Sequence, residues 1–245
     1  HEAGIRVVLI TGDHPDTAIA VAREAGIVSP GVAEKKRLVL VGDDLEAMQE
    51  QELVEALRDG AAVLARTTPS QKLKIVTALQ RLGHIVAMTG DGVNDAPALK
   101  AADVGIGMGL SGTDVAREAA DIVLLDDNFA SIVAGVEEGR TVFANIRRFT
   151  NYVLTSNGPE IVPYLLYIVL PIPLALTIIQ ILSIDLGTDI VPAIGLGQEP
   201  PDGRVMKRPP RRRDETILTL PLLVHSYLFL GLIQSVFSLM LFFWV

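Results

Sequence analysis

Thr89-Gly90-Asp91-Gly92-Val93-Asn94-Asp95 is the stretch that decides how this chain of 245 residues is read. It follows a β-rich run, His84–Met88, and precedes a helical pattern, Ala96–Ala101. Glycines in such a turn let the backbone bend tightly and approach a ligand closely. In open parallel sheets, ligands bind at the carboxyl ends of strands. Asp91 and Asp95 stand four residues apart, a carboxylate pair suited to holding magnesium beside a phosphate. Phosphoryl transfer is mostly positioning and charge neutralisation, so a lysine and a hydroxyl or amide donor complete the set. Lys72 lies on a helix predicted to start at Thr68-Pro69-Ser70-Gln71, with Thr68 as cap, Pro69 in the first turn and Gln71 closing a capping box. Thr11, in the turn Thr11-Gly12-Asp13, supplies the hydroxyl. A lone Gly-Asp-Gly turn is ordinarily structural. Three such pieces in this order, each at a strand or helix end, point to chemistry.

Around these pieces, short β-rich runs alternate with helical patterns, which predicts an α/β domain. The expected strands are Ile5–Ile10, Leu38–Val41, Ala62–Ala65, His84–Met88, Val104–Met108 and Ile122–Leu125. Gly105-x-Gly107-x-Gly109-x-x-Gly112 imitates a dinucleotide fingerprint, but Asp126 and Asp127 lead into a different segment and do not complete it. The four histidines, His1, His14, His84 and His225, have no metal-ligand spacing. The net charge of −8 gives no reason to expect nucleic acid. No cysteine is present, so there is no disulfide framework and no cysteine zinc site.

The second part differs in kind. Hydrophobic residues make up 49% of the chain, and its mean hydropathy is +0.40. From Phe149 to Ile184 the only charged residue is Glu160, and from Thr216 to Val245 there is none. A crossing helix needs about 20 residues, so three crossings are predicted, near 149–170, 174–197 and 220–245, the first two joined by a turn at Pro171-Ile172-Pro173. Arg204–Arg213 holds six basic residues and no acidic one. The positive-inside rule puts that loop in the cytoplasm, so 1–148 and 198–216 are expected to be cytoplasmic and the bilayer a partner. The expected domains are 1–125, a stalk at 126–148, and a transmembrane region at 149–245. The chain opens on His1 rather than Met and stops within an apolar run, so it reads as a fragment.

Ionisable residues inside a membrane are expensive and mark ion or proton pathways. Ser156, Asn157 and Glu160 share one helix face, and Asp185, Thr188 and Asp189 repeat the arrangement on the next crossing. Gly158 and Pro159 are expected to interrupt the first helix, and Gly187 and Pro192 to loosen the second. Carbonyls freed in this way are tolerated where they line a cavity, and there they can coordinate a cation.

Thr11-Gly12-Asp13, Arg66-x-x-Pro69-x-x-Lys72 and Thr89–Asp95 together resemble the second half of the haloacid-dehalogenase-type phosphorylation domain of P-type ATPases. Leu125-Asp126-Asp127-Asn128-Phe129 and Glu137-Glu138-Gly139-Arg140 resemble the stalk of the same family, so the likeness covers the whole chain. It implies a Rossmannoid domain followed by membrane helices, with ATP and magnesium as cofactors and a transported cation. The phosphorylated aspartate, the actuator domain and the nucleotide-binding domain would lie upstream in the parent chain. By resemblance, Thr11, Gly12 and Asp13 contact phosphate and nucleotide, Arg66 the nucleotide, and Lys72 the transferred phosphoryl group. Asp91, with Asp95, takes magnesium, while Asn94 and Asp95 order the phosphate site. Ser156, Asn157, Glu160, Asp185, Thr188 and Asp189 resemble the ion-binding fifth and sixth membrane helices. Asp185 stands where calcium pumps of the reticulum type usually have Asn, which is closer to the sodium/potassium branch. A calcium pump is the alternative. A membrane-anchored phosphohydrolase of the same fold is a rival that leaves the membrane carboxylates without a role.

Overall fold

The computed structural model describes residues 1–28 and 38–244. The chain forms two compact units, His1–Val133 with Lys207–Arg213, and Ala134–Met206 with Asp214–Val245. The split falls within the stretch 126–148 that the sequence marks as a stalk.

The first unit is α/β. Its order is β1 (Leu9–Ile10), α1 (Pro15–Glu24), β2 (Val39–Val41), α2 (Gly42–Ala47), α3 (Glu50–Arg58), β3 (Val63–Ala65), α4 (Pro69–Arg81), β4 (Ala87–Gly90), α5 (Ala96–Ala101), β5 (Val104–Met108), α6 (Asp114–Ala119) and β6 (Ile122–Leu124). All six expected strands form, most of them shorter than the apolar runs. They make two parallel three-stranded sheets, β1-β3-β2 and β4-β5-β6. Thr89 and Gly90 belong to the end of β4 rather than to the turn. Every residue of β3 is buried, as befits the centre of a parallel sheet covered on both faces.

Helix α4 lies between the sheets because its apolar positions serve both. Ile75 and Ala78 pack with Leu40 and Leu64, whereas Val76 packs with Met88 and Leu99. Its start is as the sequence predicts. Thr68 Oγ1 accepts from the Gln71 amide at 3.4 Å and Gln71 Oε1 accepts from the Thr68 amide at 3.0 Å. Such a cap stabilises by about 1 kcal/mol. Gln71 also donates to the Gly42 carbonyl at 2.9 Å, tying α2 to the same helix. The glycines around β5 serve packing. A side chain at 105 would strike the Leu99 carbonyl and one at 112 the Met108 carbonyl.

The second unit is helical. Helix α7 (Phe129–Val169) begins in the first unit and runs unbroken through Pro159 and Pro163. The expected interruption at Gly158-Pro159 does not occur. Proline removes one intrahelical donor without ending the helix here, leaving the Thr155 and Pro159 carbonyls without their usual partners. After the Pro171-Ile172-Pro173 turn, α8 (Ile178–Ile184) starts four residues later than the expected segment, with a cap at Thr177 and Gln180. A π-helical turn, Asp185–Asp189, then leads into α9 (Ile190–Gly197). The last segment is α10 (Leu220–Leu223), a second π-helical stretch, Val224–Gly231, and α11 (Leu232–Trp244). Val245, the end of the expected third crossing, lies outside the described residues.

Among the described residues, two helices are long and apolar enough to cross a membrane, Ile178–Gly197 and Leu220–Trp244. The expected first crossing, 149–170, is helical to Val169, but Asn151, Ser156, Asn157 and Glu160 dilute its apolar character. Small residues join α7 to the last segment. A Cβ on Gly158 would lie 2.9 Å from Gly231 Cα, and buried Ser226 donates to Asn151 Oδ1 at 2.8 Å. Close approach of small residues is how helices associate in lipid, where no hydrophobic force drives them together.

Candidate functional site

Each unit carries one site. In the first, Thr11 follows β1, and its Oγ1 donates to Asp13 Oδ2 at 3.0 Å and accepts from the Asp13 amide at 3.1 Å. The Thr11 carbonyl accepts from Thr67 Oγ1 at 3.1 Å and from the Thr67 amide at 3.0 Å. Buried Thr67 therefore ties the Thr11 turn to the head of α4. Arg66, beside it, takes φ +51°, a left-handed conformation uncommon outside glycine. Its amide donates to the Asp13 carbonyl at 3.0 Å.

One turn into α4, Lys72 Nζ lies 2.6 Å from Asp95 Oδ1, the side chains being 16% and 8% exposed. Asp95 Oδ2 accepts from the amides of Gly92 at 3.1 Å and Asp91 at 3.3 Å. Burial alone would push the Asp95 carboxyl up. The Lys72 hydrogen bond, the Gly92 amide, the Lys72 charge and the Asp91 amide outweigh it and hold the carboxyl below its ordinary value. Gly90 makes the fold-back possible, since a Cβ there would sit 2.5 Å from Asp95 Cβ.

The structure thus brings together Thr11 with Asp13, and Lys72 with Asp95 and the Asp91 turn. Asp91 and Asn94 are exposed, as are Gly12 and the Arg66 side chain. Magnesium keeps several waters and takes one or two carboxylates alongside phosphate oxygens. Asp91 fits that role, because its carboxylate is exposed and makes no hydrogen bond or ion pair among the described residues. Both Asp95 oxygens already serve protein donors, which suits Asp95 to ordering the turn rather than to direct ligation.

The second unit holds a cavity of about 440 Å³ lined by Tyr152, Ser156, Glu160, Thr188, Asp189 and Gln234, among others. Ser156 Oγ donates to Asp189 Oδ2 at 2.7 Å. Glu160 faces the carboxyls of Asp185 and Asp189. Tyr152 Oη donates to the Thr188 carbonyl at 2.9 Å, and Thr188 Oγ1 to the Ile184 carbonyl at 2.7 Å. Four of the six predicted residues, Ser156, Glu160, Thr188 and Asp189, line the cavity, and Asp185 faces Glu160 without lining it. Asn157 is half-buried and is not among the lining residues. The π-helical turn carries Asp185, Thr188 and Asp189 together, and such turns are frequent at functional sites. Tyr152, Thr155, Gln234 and Ser238 also line the cavity and were not singled out from the sequence. Gln234 and Ser238 stand four residues apart on one face of an uncharged helix, the signal that could have marked them.

Residues 1–103 match the haloacid dehalogenase-like hydrolases, and residues 173–245 match the cation transporting ATPase C-terminus. The chain is 50% identical to the sodium/potassium-transporting ATPase subunit alpha-2 of Rattus norvegicus, over 95% of this chain and 25% of that one. The subunits alpha-2 and alpha-4 of Homo sapiens are each 49% identical over the same shares. The chain therefore spans about a quarter of the length of these relatives. A solved structure described as "Conformational changes in the catalytic domain of the CPx-ATPase CopB- B upon nucleotide binding" overlaps at a TM-score of 0.38 and 24% identity, over 54% of this chain and 39% of that one.

Proposed function

We propose that this chain, which belongs with the P-type cation-transporting ATPases, supplies two working parts of a pump: the magnesium and phosphoryl-holding half of a phosphorylation domain, and the carboxylate site through which a monovalent cation crosses. The observation that carries the first part is the Lys72–Asp95 pair, which fixes the Asp91 turn while leaving the Asp91 carboxylate free.

In the first part, Lys72 neutralises charge on the transferred group and Thr11 donates its hydroxyl to it. Magnesium, when bound, adds positive charge where phosphoryl oxygens develop negative charge. Asp91 holds that ion, Asp95 keeps Lys72 and the turn in register, and Gly12, Asp13, Arg66 and Asn94 border nucleotide and phosphate. The phosphorylated aspartate comes from upstream in the parent chain, with the nucleotide-binding and actuator domains.

In the second part, the 21 residues from Phe149 to Val169 span about 30 Å at the helical rise, enough to cross a bilayer. With α8–α9 and α10–α11, α7 gives three crossings, with residues 1–148 and 198–216 on the cytoplasmic side. Glu160, Asp185 and Asp189 provide three carboxylates, with neutral oxygens from Ser156, Asn157 and Thr188. The names of the half-identical relatives, with Asp185 in place of Asn, favour sodium or potassium as cargo over calcium. ATP hydrolysis by the full-length protein, measured with sodium, potassium and calcium in turn and with Asp185→Asn alongside, tests the choice. Activation by calcium alone, undisturbed by the substitution, would overturn it.

A further inference from the structure

A loop behind the Asp91 turn is gripped from two sides. It runs from Gly109 to Gly112, between β5 and α6. On its amide side stands Asp127, whose Oδ1 accepts from the Leu110 amide at 3.0 Å and whose Oδ2 accepts from the Ser111 amide at 2.6 Å. On its carbonyl side, Arg117 Nη1 donates to Gly109 at 3.1 Å and to Gly112 at 2.5 Å. The loop delivers Thr113, the cap of α6. Thr113 donates twice to the Asp91 carbonyl, from its amide at 2.8 Å and from Oγ1 at 3.2 Å. Asp127 itself takes φ +50°, a conformation that side chains rarely adopt without a compensating contact. The Leu110 amide, with the donors at Ser111 and Gly109, holds its carboxyl down at about 2, so the grip is charged at any physiological pH.

We propose that Asp127 is a positioning residue for the phosphoryl-transfer turn: it fixes the Gly109–Gly112 loop, and the loop fixes the Asp91 main chain through Thr113. Asp127 touches no reacting atom. Its neighbour Asp126 has a separate local task, accepting from the Asn128 amide at 3.1 Å and from Ser131 Oγ at 2.8 Å at the head of α7. The two adjacent carboxylates therefore divide the work, one organising the helix start and the other the loop. This role rests on the phosphoryl-transfer reading of the Asp91 turn, but half of its test does not.

Full-length Asp127→Asn and Thr113→Val proteins, free of metal, are compared with the parent by hydrogen exchange over peptides covering 88–96 and 109–114. Asparagine keeps one acceptor and turns an amide group against the other donor. Asp127→Asn is expected to lose protection in both peptides, and Thr113→Val in the 88–96 peptide. Normal exchange at 88–96 in Asp127→Asn would overturn the proposal by confining Asp127 to its own loop. An Asp127→Asn chain that fails to fold would also overturn it, by making the residue a general structural support. The second readout is the magnesium concentration for half-maximal phosphoenzyme, expected to rise roughly tenfold in Asp127→Asn, at the low end for a residue that holds a metal ligand in place. An unchanged magnesium requirement overturns the proposal. A parent protein that forms no phosphoenzyme refutes the phosphoryl-transfer reading instead, and the exchange result then decides what Asp127 does.

Discussion

Lys72 and Asp95 meet at 2.6 Å across two different helix starts, and this ion pair links the carboxyl ends of the two sheets. Lys72 rides on α4, whose cap is tied through Thr67 to the Thr11 turn. Asp95 closes the Asp91 turn over Gly90. Under the proposed function, cutting the pair therefore disturbs both the charge beside the transferred group and the geometry of the turn that would hold magnesium.

Lys72→Ala is expected to slow phosphoenzyme formation by roughly 100-fold or more, the scale of losing one preorganised charge donor at a transition state. Asp95→Asn should also slow it, with a smaller change in the requirement for magnesium than Asp91→Asn produces. Rapid-mix phosphorylation with labelled ATP across magnesium concentrations separates the three variants. Equal magnesium dependence in Asp91→Asn and the parent protein would remove Asp91 from the metal site.

The depressed Asp95 carboxyl sets a pH dependence. A group whose folded value lies below its ordinary 3.8 contributes stability that is fully present above that value and lost as pH falls through the folded one. Unfolding of the parent and of Asp95→Asn is expected to differ by a constant amount at neutral pH and to converge in acid below about 4. A difference that instead grows on acidification contradicts the Lys72–Asp95 assignment.

Gly158→Ala should destabilise the membrane unit, because the added methyl would sit 2.9 Å from Gly231 Cα on the facing helix. Overpacking of this kind costs about 1–3 kcal/mol. Thermal unfolding in detergent checks it, with Gly187→Ala as the control, since nothing lies near a Cβ at that position.

Ser156→Ala removes the 2.7 Å donor to Asp189. One such hydrogen bond is worth about 0.5–1.5 kcal/mol, so the cation concentration for half-maximal ATPase activity should shift by roughly two- to tenfold. The shift should appear in cation activation and leave the ATP requirement unaltered.

Much of the first unit was legible because its signals are local. Apolar, β-branched runs mark the strands, and Thr68 with Gln71 marks the start of α4 within three residues. The links between the pieces were not legible. Thr67 and Thr113 look like any threonine in a turn, and their donors find carbonyls 56 and 22 positions away. Gly158 was misread for the same reason. Beside Pro159 it suggests a break, whereas its role is set by Gly231 on another helix. The carboxylates of the membrane unit stood out because charge is so rare there, whereas Gln234 and Ser238 carry none, and their shared helix face gained significance from the cavity they line.

The central claim is tested most directly by phosphorylating the full-length protein with labelled ATP and following acid-stable, hydroxylamine-sensitive label. Magnesium-dependent phosphoenzyme in the parent protein, strongly reduced in both Lys72→Ala and Asp91→Asn and responsive to sodium or potassium, is the predicted result. A phosphoenzyme that forms equally in all three proteins, or ATP hydrolysis without any phosphoenzyme, would contradict the account.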